Sequence, residues 1–257
     1  MSSPRTAWPS LTPQAAAAPR GRMFAAQTRA ELMLLLRNGE QVLLTLVIPL
    51  GLVVVLSKVP VINISGRRVD FFVPGVLSLA VMSAAFTGQA IGTGFERQYG
   101  VLKRLGATPL PRSVLLLAKT SAVLIVEVVQ VSLICLVGAL LGWEPHGNVP
   151  GTVLLLALGT AAFSGLGLLL GGTLRGLTTL AAANLLWFVL LGLGGVLYPL
   201  KELGPGKDLA LCLPTAALSD GLRQLLQHDL WSARDLLTLV AWAVVSLALA
   251  SRLFRWE

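Results

Sequence analysis

Residues 151–174 read GTVLLLALGTAAFSGLGLLLGGTL, twenty-four positions without one Asp, Glu, Lys or Arg. A bilayer core about 30 Å thick takes roughly 20 apolar residues as helix, and there the backbone must satisfy its own hydrogen bonds. A span therefore fits Gly151–Leu174. Working outward, the same demand is met at Leu177–Tyr198, Ser121–Trp143, Phe71–Gly94, Val42–Val59 and Leu236–Leu253. The spacing predicts an all-α integral membrane protein with six transmembrane helices. The first contains Pro49, a kink that neighbouring helices must accommodate.

Composition agrees. The 257 residues are 55% hydrophobic and 12% charged, with a mean hydropathy of +0.78. Soluble domains carry about 25% charged residues, so this surface suits lipid rather than water.

The basic residues set the expected orientation. With both termini in the cytoplasm, the inner side receives thirteen Lys and Arg and the outer side seven. Seven acids balance the outer side, from Asp70 to Asp235. The net +8 is thus a topology signal and requires no nucleic-acid partner. The Ala/Leu/Gly/Arg-rich composition points to a GC-rich bacterial genome and hence to a bacterial plasma (inner) membrane.

Pro4, Pro9, Pro13 and Pro19 interrupt the N-terminal region before any signal-peptide core develops, so residues 1–23 are expected to be a disordered cytoplasmic tail and 24–257 the membrane domain. Phe24, Thr28, Leu32, Leu35 and Leu36 share a helical face. This suits a helix lying in the membrane interface, the alternative being an extension of the first span.

Residues 95–112, FERQYGVLKRLGATPLPR, are too long for a turn between the second and third spans. Phe95, Tyr99, Leu102 and Gly106 fall on one helical face edged by Glu96, Lys103 and Arg104, and Pro109 and Pro111 stop the helix. Such a helix docks in a partner's groove or rests on lipid headgroups; composition alone leaves both open.

The run FERQYGVLKRLGATPLPRSVLLLAK, residues 95–119, resembles the signature of ABC-2 type permeases, the membrane subunits of one class of ABC exporter that includes drug-resistance exporters. The acidic–basic pair Glu96–Arg97, then Gly100, then Leu102-Lys103-Arg104-Leu105 and Thr108-Pro109 carry the resemblance. TRAELMLLLRN upstream, the Ile48-Pro49 helix and FFVPGVL at 71–77 support it. The resemblance implies that residues 95–112 are a cytoplasmic coupling helix, with Glu96, Arg97, Tyr99, Gly100, Leu102, Lys103 and Arg104 against a separate ABC ATPase. It also implies a second permease, identical or homologous. ATP and Mg would act through the ATPase subunit, with no cofactor in this chain.

Residues 199–234 mix apolar stretches with charge, and Leu209–Ala217 is expected to dip into the outer leaflet and return, breaking at Pro214. The resembled family carries re-entrant helices here; a plain extracellular cap is the alternative.

No G-x-x-x-x-G-K-[ST], H-E-x-x-H or G-x-S-x-G motif occurs. His146 and His228 fall in expected outer loops, so neither a catalytic nor a metal site is expected. Cys135 and Cys212 are expected to be unpaired packing residues. Lys119 is expected to snorkel to headgroups.

Glu127 lies deep in the third span with Gln130 on the same face. An intramembrane carboxylate signals function by default, so this pair is the candidate translocation path; a structural interhelical hydrogen bond is the alternative. Two functions follow. One is the permease of an ATP-driven exporter moving an amphipathic or apolar substrate; the other is an ion-coupled secondary transporter using Glu127. Only the first needs residues 95–112.

Overall fold

The computed structural model describes residues 17–60, 64 and 66–256. Helix α1 spans Arg20–Arg37 and α2 spans Gly39–Lys58. A long rod follows, made of α3 (Arg68–Val81), a π-helical stretch (Met82–Gly88) and α4 (Gln89–Gln98). Then come α5 (Val101–Gly106), α6 (Arg112–Leu140), α7 (Val149–Thr173) and α8 (Gly176–Leu193). A 3-10 turn (Leu200–Gly206) and α9 (Lys207–Ala210) lead to α10 (Pro214–His228) and α11 (Ala233–Leu253). No strand occurs among the described residues.

Among the described residues, five helices are long and apolar enough to cross a membrane: the rod, α6, α7, α8 and α11. In α2 the apolar helix runs only from Thr45 to Lys58 among the described residues. Helix α6 starts at Arg112, directly after Pro111 and nine residues before the expected span edge; Lys119, expected at headgroups, is paired inside the protein with Glu31 and Glu96. Helix α8 ends at Leu193, where Gly194 and Gly195 turn the chain, Gly195 at φ +60°.

Helix α1 begins at Arg20, inside the expected tail, whose residues 1–16 lie outside the described ones. Asn38 (φ −82°, ψ 76°) breaks the helix before Gly39, so α1 is separate from α2. It packs against α6. Its buried residue is Glu31, while Leu36 on the expected apolar face is exposed.

The rod is the centre of the core. Phe72, Val76, Leu77, Met82 and Phe86 are fully enclosed. Helix α7 reaches the rod through glycines. A Cβ at Gly167 would stand 2.6 Å from the Phe86 carbonyl oxygen, and one at Gly171 2.5 Å from that of Ala90. Only glycine permits this approach.

Two prolines sit inside apolar helices, and each leaves the carbonyl four residues earlier without its helical donor. Neighbouring helices supply both bonds. Pro49 orphans the Thr45 carbonyl, which accepts from Gln130 Nε2 of α6 at 2.7 Å. Pro74 orphans the Asp70 carbonyl, which accepts from Gln227 Nε2 of α10 at 2.7 Å. A glutamine side chain replaces the missing backbone N–H in each case.

Helix α10 is held further by Arg223. Its guanidinium donates to the carbonyls of Gly195 (2.6 Å), Val196 (2.8 Å) and Phe71 (3.2 Å) and lies 3.8 Å from the Phe71 ring centroid. Burial lowers this guanidinium to about 10, leaving it charged at neutral pH. Pro214 starts α10, as expected of a break; the helix is largely buried from Pro214 to Leu226, as are Ala210 and Leu211 before it, whereas Leu209 and His228 are exposed. Cys135 is partly buried against the core; Cys212, expected to pack, is exposed, and both are free.

Candidate functional site

The residues singled out around the rod's C-terminus lie at one end of the bundle, where α5, the end of α7 and the end of α11 meet. The helix expected from Phe95 to the stop at Pro109 is broken. Helix α4 stops at Gln98, Gly100 adopts φ +70°, and α5 restarts at Val101. A left-handed residue cannot sit within a helix and favours glycine, so the chain turns here. Phe95, Tyr99, Leu102 and Gly106 therefore do not form one face. Phe95 stacks on Tyr99 with centroids 6.0 Å apart, and Tyr99 is 66% exposed. Leu102 points the other way, buried with Leu115, Leu116, Leu168, Ala250 and Phe254. Gly106 abuts Trp256, whose ring an added Cβ would meet at 3.0 Å.

The seven residues marked as partner contacts thus divide. Tyr99, Lys103 and Arg104 are exposed, Gly100 makes the turn, and Leu102 anchors it. Glu96 and Arg97 face inward. Arg97 Nη1 lies 3.4 Å from the Gly172 carbonyl oxygen and 3.3 Å from that of Leu174. It places a cation at the C-terminus of α7, where unpaired carbonyls concentrate negative potential.

Glu96 belongs to a charged cluster that sequence reasoning missed. Lys119 Nζ, on α6, donates to Glu31 Oε2 of α1 at 2.8 Å and to Glu96 Oε1 of α4 at 2.8 Å. Lys119 is 5% exposed and Glu31 6%. One ammonium therefore ties three helices together in an enclosed place. Each charge depends on the others, because an isolated charge there lacks compensating solvent. No local pattern signals the cluster: its members stand 23 and 88 positions from Lys119.

Beside α5, a cleft is lined by Lys103, Arg112, Arg252 and Arg255, with Trp256 under the Arg112 guanidinium at 5.9 Å. No acidic residue is among its described lining residues.

Glu127 and Gln130 lie near the middle of α6 and are 4% and 1% exposed. They face different neighbours. Glu127 Oε2 accepts a hydrogen bond from the Thr160 hydroxyl of α7, while Gln130 reaches Thr45 of α2. Both join α6 to another helix of the same chain. Among the described residues, no group of three or more His, Cys, Asp or Glu could hold a metal ion.

A family model described as ABC-2 family transporter protein matches residues 43–252 of this chain. The chain belongs to the ABC-2 transporter family. A Bacillus subtilis (strain 168) protein named "Putative transport permease YvfS" is 24% identical over 241 residues, covering 89% of this chain and 96% of that protein. The ABC-2 match takes in the rod, α5, Lys119 and Glu127, whereas α1 with Glu31 precedes it.

Proposed function

We propose that this chain is the membrane-spanning subunit of an ATP-driven exporter, working with a separate cytoplasmic ABC ATPase that supplies ATP and Mg chemistry. The carrying observation is the turn around Gly100. It presents Tyr99, Lys103 and Arg104 outward, while Leu102 and the Glu96–Lys119–Glu31 cluster fix its base to three helices. A projection anchored at both ends of a turn moves its attached helices when pushed. The absence of a phosphate-loop motif in this sequence agrees with an ATP site on another subunit.

In this reading α2 is the sixth span, α10 is the re-entrant element, and both termini lie in the cytoplasm of a bacterial plasma membrane. Twelve Lys and Arg of the described residues fall in the segments that this reading places on the cytoplasmic side and seven in those it places outside, consistent with the positive-inside bias. Two permeases, identical or homologous, form the translocation path between them. The substrate is amphipathic, because the spans offer few charges to a polar one. The chain itself performs no catalysis. Glu127 and Gln130 serve this reading as interhelical ties, since each bonds within the chain.

The test is a gentle detergent purification of the tagged chain from native membranes, scored for a co-purifying ATPase. Lys103→Glu combined with Arg104→Glu is run beside it. A stoichiometric ATPase lost in the double variant supports the assignment. A folded chain that never retains an ATPase, and that moves solute under a proton gradient alone, refutes it.

A further inference from the structure

The cleft beside α5 has a volume of about 940 Å³ and brings four cations together from three parts of the chain: Lys103 of α5, Arg112 of α6, and Arg252 and Arg255 around the end of α11. Aromatic packing holds it in shape. Phe254 is buried and meets Trp256 edge-on with centroids 5.8 Å apart. The Trp256 ring covers Gly106 and lies under the Arg112 guanidinium. The Arg255 backbone N–H donates to the Gly172 carbonyl at 3.1 Å, which fixes the chain after α11 across the end of α7. A positive-inside bias accounts for basic residues at this end of the bundle, but not for their convergence on one cleft.

The electrostatics call for an anion. Arg112 is the first residue of α6, a helix of 29 residues with no acidic residue in its first turn. A helix N-terminus is the positive end of the helix dipole, so a cation there is unfavourable unless an anion meets both. Arg252 lies in the last turn of α11, where a cation complements the carbonyl end. Arg112 and Arg255 have no carboxylate partner among the described residues. Glu257, next in sequence, brings one negative charge against four positive ones, so an excess of positive charge remains. The surroundings indicate what carries the anion. Leu253 lines the cleft, and Leu249 and Val245 follow at four-residue spacing along α11; all three are exposed. They make an apolar strip of about 12 Å running from the cleft into a span. A soluble phosphate leaves that strip uncovered, whereas acyl chains cover it. Trp256, half-buried at the head of the strip, is the residue type favoured at headgroup level.

We propose that this cleft holds the headgroup of an anionic phospholipid, a head with two phosphates in preference to one, with acyl chains laid along Leu253, Leu249 and Val245. Basic pockets at the ends of membrane helices take such heads, and four cations match two phosphates better than one. The proposal rests on the chain's membrane spans and not on the ATPase reading.

The experiment is native mass spectrometry of the full-length chain, delipidated in maltoside micelles and offered cardiolipin, phosphatidylglycerol or phosphatidylcholine with matched oleoyl chains. Cardiolipin is expected to be retained most and phosphatidylcholine least. Equal retention of the three by the unaltered chain overturns the proposal without any variant. Arg112→Gln combined with Arg255→Gln is expected to weaken cardiolipin by about thirtyfold, the scale of two basic residues near an anionic surface. Arg20→Gln combined with Arg22→Gln removes two exposed cations from α1 instead, and is expected to leave cardiolipin binding nearly unchanged. Equal loss in both pairs overturns the proposal, because charge anywhere on the chain then suffices. Pyrophosphate at millimolar concentration is not expected to displace the lipid; displacement makes a free phosphate the occupant and overturns the lipid assignment. Lys103 and Arg104 stay in place throughout, so the ATPase pull-down reads the exporter assignment separately. An Arg112/Arg255 variant that loses the ATPase but keeps cardiolipin assigns the cleft to the protein contact and overturns the proposal.

Discussion

Gln130 on α6 donates to the carbonyl of Thr45 on α2, the one that Pro49 leaves without a helical partner. The glutamine and the proline are therefore one device, although 81 positions separate them. Gln130→Leu should destabilise the protein by about 1 kcal/mol, the scale of an interhelical hydrogen bond in a membrane. Pro49→Ala restores the backbone donor, so Gln130→Leu made on that background should cost markedly less. A double-mutant cycle followed by thermal unfolding in detergent checks the coupling. Equal cost in both backgrounds removes it.

Lys119→Met strands two carboxylates in an enclosed site. Breaking a buried pair by removing one partner costs about 3–5 kcal/mol. The triple variant Lys119→Met, Glu31→Gln and Glu96→Gln should recover most of that loss, because no uncompensated charge remains. Thermal unfolding of the single and triple variants measures both. If the single variant proves as stable as the triple, the cluster contributes nothing.

Gly100 needs φ +70° but has open space around an added Cβ. Substitution there is governed by backbone strain alone. Gly100→Asn should be tolerated, and Gly100→Val should lose at least about 1–2 kcal/mol locally, since a β-branched residue is a true outlier in that region. ATPase retention should fall for valine and hold for asparagine in the same pull-down. A valine variant that retains ATPase fully would show that this turn is dispensable.

Glu127→Gln should be mild. The amide oxygen can still accept from Thr160, and the α6–α7 tie persists. The ATPase turnover of the assembled complex should stay within about twofold, as expected for a neutral hydrogen-bond exchange. Thr160→Val should be the more damaging change, as it leaves the carboxylate wholly unpartnered. Abolished turnover in an assembled Glu127→Gln complex would restore the carboxylate to a transport role.

Hydropathy alone located the rod, α6, α7, α8 and α11, because lipid imposes length and apolarity on every span. Helix ends differ from the expected edges for more than one reason: at α8, Gly194 and Gly195 turn the chain, and near the start of α6 a lysine expected to mark the boundary is paired inside the protein. Lys119 marks an expected boundary only if it faces solvent, and Glu31 and Glu96 remove that condition. The segment after the second span was visible from Gly100, Lys103, Arg104 and the prolines. Its division into an outward tip and a buried base was not, since that depends on the direction Gly100 sends the chain. Glycines spaced four apart, which let helices approach closely, show the same limit. Gly167 and Gly171 meet the rod directly, whereas Gly92 of the Gly88/Gly92 pair faces open space. Spacing is identical in both; only the neighbour differs.

The widened turns at Met82–Gly88 divide the rod into two lengths with different attachments, α3 to α10 and α4 to α7 and α8. Each residue of an α-helix advances the azimuth by about 100°. Relocating one surplus residue past a given point would therefore turn Glu96 about a quarter-circle against Phe72. The widened turns also hold a close approach of the rod to α7, where the Phe86 carbonyl oxygen lies beside Gly167, so the change of helical register falls at a tight contact of the core.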